Sequence, residues 1–350
     1  MITPVSRENF LLADHLVHPG AASNIAIPVS DLSAGMQAQL EARVFHGRSD
    51  GPVIFISAAI HGDEIIGTEI IRRLMKKLNP KKMAGTAIFV PVVNMFGFVG
   101  QSRYLPDRRD LNRCFPGSER GSLASQLANI FYTEIVTRCD LGIDIHSAAI
   151  HRYNLPQIRI AAGNPKLKKL AMAFGAPAVI EAPLREGSLR EVARGDGVDM
   201  LLLEAGEALR FDELSVRTGV SGILRVMREL GMISTRRLGR VPAPSAQTKR
   251  TMWLRAGRGG VCRINAISGA TVEAGETLAV VSDMFGDDEE AVIAPCDGIV
   301  IGHATLPVVN QGDAILHIAE VQRFANVEQR IEAISDSLME NPMLDEDEVL

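Results

Sequence analysis

The sequence predicts an α/β fold: a mixed sheet flanked by helices, followed by a small all-β module. Three observations carry that expectation. Continuous apolar runs alternate with amphipathic stretches through residues 52–206. After residue 248 short β-type runs separated by glycines take over, and no long helix fits between 250 and 320. The length of 350 residues exceeds one small domain and suits two of ordinary size.

The elements follow in order. PVIFISAAI (52–60) is a continuous Ile/Val-rich run, the pattern of a buried strand. Ile66, Ile70, Leu74 and Leu78 then repeat at helical spacing, opposed by Glu69, Arg72, Arg73, Lys76 and Lys77, and Asn79-Pro80 ends the helix. AIFVPVVN (87–94) is a second buried strand, and 122–139 is a second amphipathic helix. LGIDIH (141–146) and MLLLEAG (200–206) are further strands, and this alternation argues for layered α/β packing. VPAPSAQTK (241–249) has linker composition. The expected organisation is a first unit over 1–247, a β module over 248–320, and a helix with an acidic tail over 321–350.

Composition excludes several classes. With 46% hydrophobic and 23% charged residues the chain is an ordinary globular one. The formal charge of −5 argues against a nucleic-acid partner. It is also uneven: residues 331–350 hold seven acids and no Lys or Arg, so the first 330 residues carry +2. Cys114, Cys139, Cys262 and Cys296 have neither knuckle nor redox spacing and read as free thiols of a reducing compartment. The N-terminus lacks a signal-peptide pattern, and no apolar run approaches the ~20 residues that span a bilayer. The expectation is a cytoplasmic protein with no membrane partner. The amphipathic stretch 321–341 can pack on its own chain or on a second copy, which leaves a homo-oligomer open.

Four segments can carry chemistry. His61-Gly62-Asp63-Glu64 stands where a buried strand gives way to a helix, the edge at which ligand sites form in α/β sheets. His and Glu three apart on a tight turn can reach one metal ion, although a plain helix start reads the same way. His146 ends another buried strand and completes a His2Glu set of the kind that catalytic zinc sites use. The segment 103–113 holds Arg103, Arg108, Arg109 and Arg113, whose forks suit carboxylates, or else form a solvated basic loop. Glu204 follows an apolar run, where a carboxylate needs a partner or a function. Arg152, Asn154 or Arg159, just past His146, can line a cleft or simply connect elements. The scattered His15, His18, His46, His303 and His317 read as surface or satisfied core histidines.

The ordered set H-x-x-E, R-Y…D-x-N-R, I-x-I-H-S and E-A-G, spanning 61–206, resembles the zinc carboxypeptidase superfamily, and within it the succinylglutamate desuccinylase/aspartoacylase branch. The resemblance implies a zinc-carboxypeptidase-like mixed sheet flanked by helices, with one Zn2+ per chain on His61, Glu64 and His146. It implies that Glu204 is the general base for a metal-activated water, that Arg103 polarises the scissile carbonyl, and that Asn112 and Arg113 hold an α-carboxylate. Asp110 would orient His61 through its other ring nitrogen. The implied activity is removal of an acyl group from a small N-acyl amino acid, with a metallocarboxypeptidase acting on short peptides as the alternative and a non-catalytic scaffold as a third reading.

The C-terminal module is similar to a biotinyl/lipoyl-type barrel-sandwich domain. Its hairpin Asp283–Glu290 lacks the attachment lysine, so shaping the cleft or an oligomer contact is expected instead. Aspartoacylase-type enzymes also place a C-domain tyrosine near the substrate, whereas Tyr104, Tyr132 and Tyr153 all lie in the first part of this chain. That difference counts against N-acetylaspartate and leaves succinyl-type and diaminobutyrate-type substrates open.

Overall fold

The computed structural model describes residues 7–31, 35, 37–234, 245–321 and 336. The expected helix at 321–341 and the acidic tail lie outside these residues, apart from Val321 and Asp336. A short hairpin, β1 (Phe10–Leu12) and β2 (His15–Val17), precedes the long antiparallel pair β3 (Ala21–Asp31) and β4 (Gln37–His46). The α/β alternation follows: β5 (Ser49–Ala58), α1 (Ile66–Lys76), β6 (Ala84–Val90), α2 (Met95–Val99), α3 (Leu123–Glu134) and β7 (Leu141–Ala148). Next come β8 (Arg152–Ile160), α4 (Pro165–Phe174), β9 (Ala178–Glu181), α5 (Leu189–Gly195), β10 (Asp199–Glu207) and α6 (Glu213–Glu229). The remaining strands are β11 (Ala246–Thr248), β12 (Thr251–Arg255), β13 (Gly260–Ile264), β14 (Thr271–Val272), β15 (Thr277–Ser282), β16 (Glu289–Ile293), β17 (Gly298–Ala304), β18 (Val308–Val309) and β19 (Ala314–Glu320).

One mixed sheet runs β12-β19-β17-β8-β10-β7-β5-β6-β4-β3, so three C-terminal strands extend the central sheet. β13, β15, β16 and β18 form a second, four-stranded sheet. Residues 246–248, expected in a linker, instead form β11, paired in parallel with β9. The composition of that segment is loop-like, but a long-range partner supplies its hydrogen bonds. No helix among the described residues is long and apolar enough to cross a membrane.

Strand alternation divides the core into two layers. Ile143, Ile145, Leu201 and Leu203 pack with Ile70, Phe174 and Val220 beneath α1, α4 and α6. Phe55 and Met200 pack with Leu127, Phe131 and Leu189 beneath α3 and α5. Helix α1 lies close to the sheet because Gly67 has no side chain: a Cβ there would stand 2.4 Å from Ala58 Cβ. The same device tightens the turn before α1, where a Cβ on Gly62 would meet the Gly97 backbone at 2.0 Å. The turn is thereby pressed against the segment that leads to Arg103.

Candidate metal centre and active site

The central strands β5, β7 and β10 are parallel, so their C-terminal ends share one edge of the sheet. His61 and Glu64 lie on the turn after β5, His146 lies near the end of β7, and Glu204 pairs with His146 in register. Asp144 and His146 have the same parity in β7 and therefore face the same layer, the one covered by α3 and α5.

His61, Glu64 and His146 converge there, each buried, with ligand-capable atoms all within 4.8 Å of one another. Glu64 Oε1 lies 2.7 Å from His61 Nδ1, and Oε2 lies 2.8 Å from His146 Nδ1. The Ser147 backbone N–H donates to Oε2 at 3.1 Å. The remote ring nitrogens are also engaged. His61 Nε2 is 3.1 Å from Asp110 Oδ1, and His146 Nε2 is 2.7 Å from Asp144 Oδ2. Ser57 Oγ in turn donates to Asp144 Oδ1 at 2.8 Å. Carboxylates on both Nε2 atoms fix the rings and leave both Nδ1 atoms facing inward, the arrangement in which outer carboxylates orient histidine ligands. This donor chemistry fits a divalent cation.

The electrostatics agree. Burial would raise the Glu64 carboxyl, but His61 and His146 outweigh it and hold it well below the usual carboxylate range. Burial would lower His61, but Glu64 and then Asp110 raise it; His146 is raised well above its usual value by Asp144 and Glu64 against the same burial. Arg103 donates from Nη1 to Glu64 Oε1 at 3.1 Å and from Nη2 to Asp110 Oδ2 at 2.9 Å. Its guanidinium therefore lies against the same cluster.

The remaining expected residues are placed as follows. Asp110 caps the short 310 turn Leu111–Arg113, accepting from the Asn112 N–H at 2.9 Å. Asn112 Oδ1 accepts from the Leu189 N–H at 3.0 Å and so ties this turn to the start of α5. Arg113 is exposed and donates to the Asn112 carbonyl. Glu204 Oε2 accepts from Asn154 Nδ2 at 3.0 Å. Sequence reasoning did not single out Asp144, although its position two residues before His146 on one strand was the available signal. It also did not single out Gln157, which pairs with Glu204 across β8 and β10.

Fold and site together define an α/β protein with a candidate buried metal centre at the strand ends of a mixed sheet. The family model of the succinylglutamate desuccinylase/aspartoacylase catalytic domain matches residues 50–230. The chain belongs to that family. It is 25% identical, over 91% of its length and 96% of the relative's, to the N-alpha-acetyl-L-2,4-diaminobutyric acid deacetylase of Halomonas elongata. Among solved structures it resembles a succinylglutamatedesuccinylase/aspartoacylase from Rhodobacter sphaeroides, with a TM-score of 0.75 and 27% identity, covering 86% of this chain and 95% of that one. The product-bound ectoine utilization protein EutE (DoeB) from Ruegeria pomeroyi shares the fold, with a TM-score of 0.76 and 22% identity, covering 91% of this chain and 98% of that one.

Proposed function

We propose that the protein is a zinc-dependent amidohydrolase that removes the acyl group from a small N-acyl amino acid. The observation that carries the reading is the buried convergence of His61, Glu64 and His146, with Glu204 beside His146 in register on the next strand. His61, Glu64 and His146 would hold the zinc, a His2Glu set of the catalytic type. When bound, the metal supplies Lewis acidity, polarising the scissile carbonyl and lowering the pKa of water toward ~7.

The chain's own residues supply the rest. Glu204 accepts a proton from the attacking water as the C–O bond forms. It then delivers that proton to the nitrogen as the C–N bond breaks, releasing a carboxylic acid and an amine. Arg103 directs its guanidinium toward the oxygen on which negative charge develops. The α-carboxylate of the amino acid lies at Arg113 and at the amide nitrogen of Asn112, whose oxygen is already committed to Leu189. Asp110 and Asp144 hold the two imidazoles in orientation. In this reading residues 1–247 form the catalytic unit, and the module over 248–320 walls the cleft against long peptides.

The test is metal analysis of the purified protein with hydrolysis of N-acyl amino acids and dipeptides before and after chelation. About one zinc per chain is expected, with N-acyl hydrolysis lost on chelation and restored by zinc. Cleavage of dipeptides alone, or a protein that binds no stoichiometric metal, would overturn the reading.

A further inference from the structure

Strand β8 reaches the active-site face through a break in its pairing. Gln157 lies opposite Glu204 of β10, but the next pair joins Asn154 to Gly206. Leu155 and Pro156 therefore stand opposite the single residue Ala205, which makes a bulge. Proline suits that place because it has no N–H to give the ladder. Opposed residues of paired strands project to one face, so the extra residue turns Asn154 onto the face that carries Glu204 and His146. Without it, Leu155 would oppose Gly206 and Asn154 would point into the other layer.

Asn154 then has a glycine opposite it on both sides, Gly206 of β10 and Gly302 of β17. Neither presents a side chain to crowd it. Its Nδ2 donates to Glu204 Oε2 at 3.0 Å. Its amide oxygen faces β17, where a Cβ on Gly302 would lie 3.0 Å from Asn154 Oδ1. The reverse setting of the amide would bring oxygen against carboxylate oxygen, so the donor end is fixed. Asn154 is 7% exposed, and its neighbours anchor the backbone that carries it. Tyr153 Oη donates to Asp212 Oδ2 at 2.9 Å, and Asp212 caps α6. The Arg152 guanidinium lies 5.3 Å from the ring centroid of Trp253 on β12. Gln157 Nε2 donates to the Ile301 carbonyl of β17 at 3.3 Å.

Glu204 has a long, flexible side chain, and the bond from Asn154 is the one hydrogen bond its carboxylate accepts among the described residues. A proton-transfer group loses rate when it leaves the productive geometry. We propose that Asn154 is a positioning residue: it pins Glu204 Oε2, so that Oε1 meets the attacking water, and strand β17 of the C-terminal module holds Asn154 in place through Gly302. The inference rests on the deacylase reading, in which Glu204 is the base. It gives β17 a part in the reaction beyond walling the cleft.

The test compares kcat, KM and zinc content of zinc-loaded variants on the best N-acyl amino acid. Asn154→Ala removes both donor and bulk, while Asn154→Leu removes the donor and keeps the bulk. Both should lower kcat by about 100-fold, the scale on which a group displaced by about 1 Å loses rate, with KM and zinc content unchanged. In a Glu204→Gln background neither should lower kcat further, because the group through which Asn154 acts is gone. Gly302→Ala crowds Asn154 Oδ1 at 3.0 Å and should give a smaller loss of the same kind. Full kcat in Asn154→Leu, a loss carried by KM or by zinc, or an equal loss in the Glu204→Gln background overturns the positioning role. Unchanged kcat in Gly302→Ala overturns the part given to β17. A crystal structure of Asn154→Ala reads the same contact without turnover. The Glu204 carboxylate should leave its place beside position 154, and a Glu204 that has not moved overturns the proposal. If the unchanged protein hydrolyses no N-acyl amino acid, the deacylase reading fails, while that crystal structure still decides whether Asn154 holds Glu204.

Discussion

Glu204→Gln separates catalysis from metal binding more cleanly than any other change. Glu204 is outside the His61–Glu64–His146 set, and its side chain accepts a hydrogen bond from Asn154 Nδ2 at 3.0 Å. A glutamine has nearly the same shape, and its amide oxygen can accept that bond, so neither β8 nor β10 needs to move. What is lost is the basic oxygen. Positioned general bases contribute about 10²–10⁴ in rate, and a 10³-fold loss corresponds to about 4 kcal/mol on the barrier. The expected result is kcat lower by about 10³-fold, with zinc content and melting temperature close to those of the unchanged protein. Steady-state hydrolysis of the best N-acyl substrate, metal analysis and thermal unfolding read the three quantities on one preparation. A variant within tenfold of full activity would refute the base assignment. One that lost its zinc would show that Glu204 belongs to the metal site instead.

Asp144→Asn should weaken zinc affinity by about 10–100-fold, the usual cost of removing a carboxylate that orients a histidine ligand; competition with a chromogenic chelator measures it, and unchanged affinity would refute the role. Gly62→Ala forces a Cβ to within 2.0 Å of the Gly97 backbone, which no side-chain rotation relieves, so unfolding should occur at lower denaturant with metal affinity reduced in parallel. Glu69 on α1 accepts from Arg72 and Arg73, and these bonds, against burial, hold its carboxyl down at about 2. Because its folded value is depressed, the stabilisation is complete above its unfolded value near 4.5 and fades as pH falls toward 2. Glu69→Gln should therefore cost about 1 kcal/mol at pH 7 in urea unfolding, discounted for the exposure of Arg72, with the gap to the unchanged protein narrowing below pH 4.5. A chain ending at residue 248 should be insoluble, because it uncovers the β8 edge that pairs with β17 and removes Ile299, Ile301 and Ala319 from the cluster around Leu155 and Ile180; a soluble, monomeric product would refute that.

The parts of the fold that the sequence announces are those whose pattern is local. Ile54 and Ile56, or Leu201 and Leu203, are apolar because parallel strands are buried on both faces. A polar residue at the end of such a run is then conspicuous, which is why His61, His146 and Glu204 stand out. Asp144 does not, because one acid inside IDIH looks like a break in the run rather than the partner of a histidine two residues on. Gln157 and Arg159 are harder still. They reach the site because the chain reverses after β7 and β8 returns antiparallel to β10, and the register that sets Gln157 opposite Glu204 is not written in either segment. The same holds for β11 and for the joining of β17 to β8, pairings between segments far apart in sequence. His317 reads as an ordinary core histidine from the sequence, and its stacking on Trp253, with centroids 4.3 Å apart, depends on the pairing of β12 with β19.

The charges on this face give a physical reason for a divalent cation at the strand ends. At the His61–His146 end, Glu64, Asp110 and Asp144 bring three carboxylates and Arg103 one guanidinium. With neutral imidazoles those four groups leave two negatives, and the buried Asp63 beside them adds a carboxyl held above its usual range by burial and then by Glu64. The raised basicity of both imidazoles is the same deficit felt by protons: in the bare chain, two imidazolium charges would cancel it. A divalent cation cancels it without protonating the rings, and so leaves the Nδ1 lone pairs free to bind it. At the other end, Arg159 and Arg190 are in excess, and Glu204 lies between the two regions.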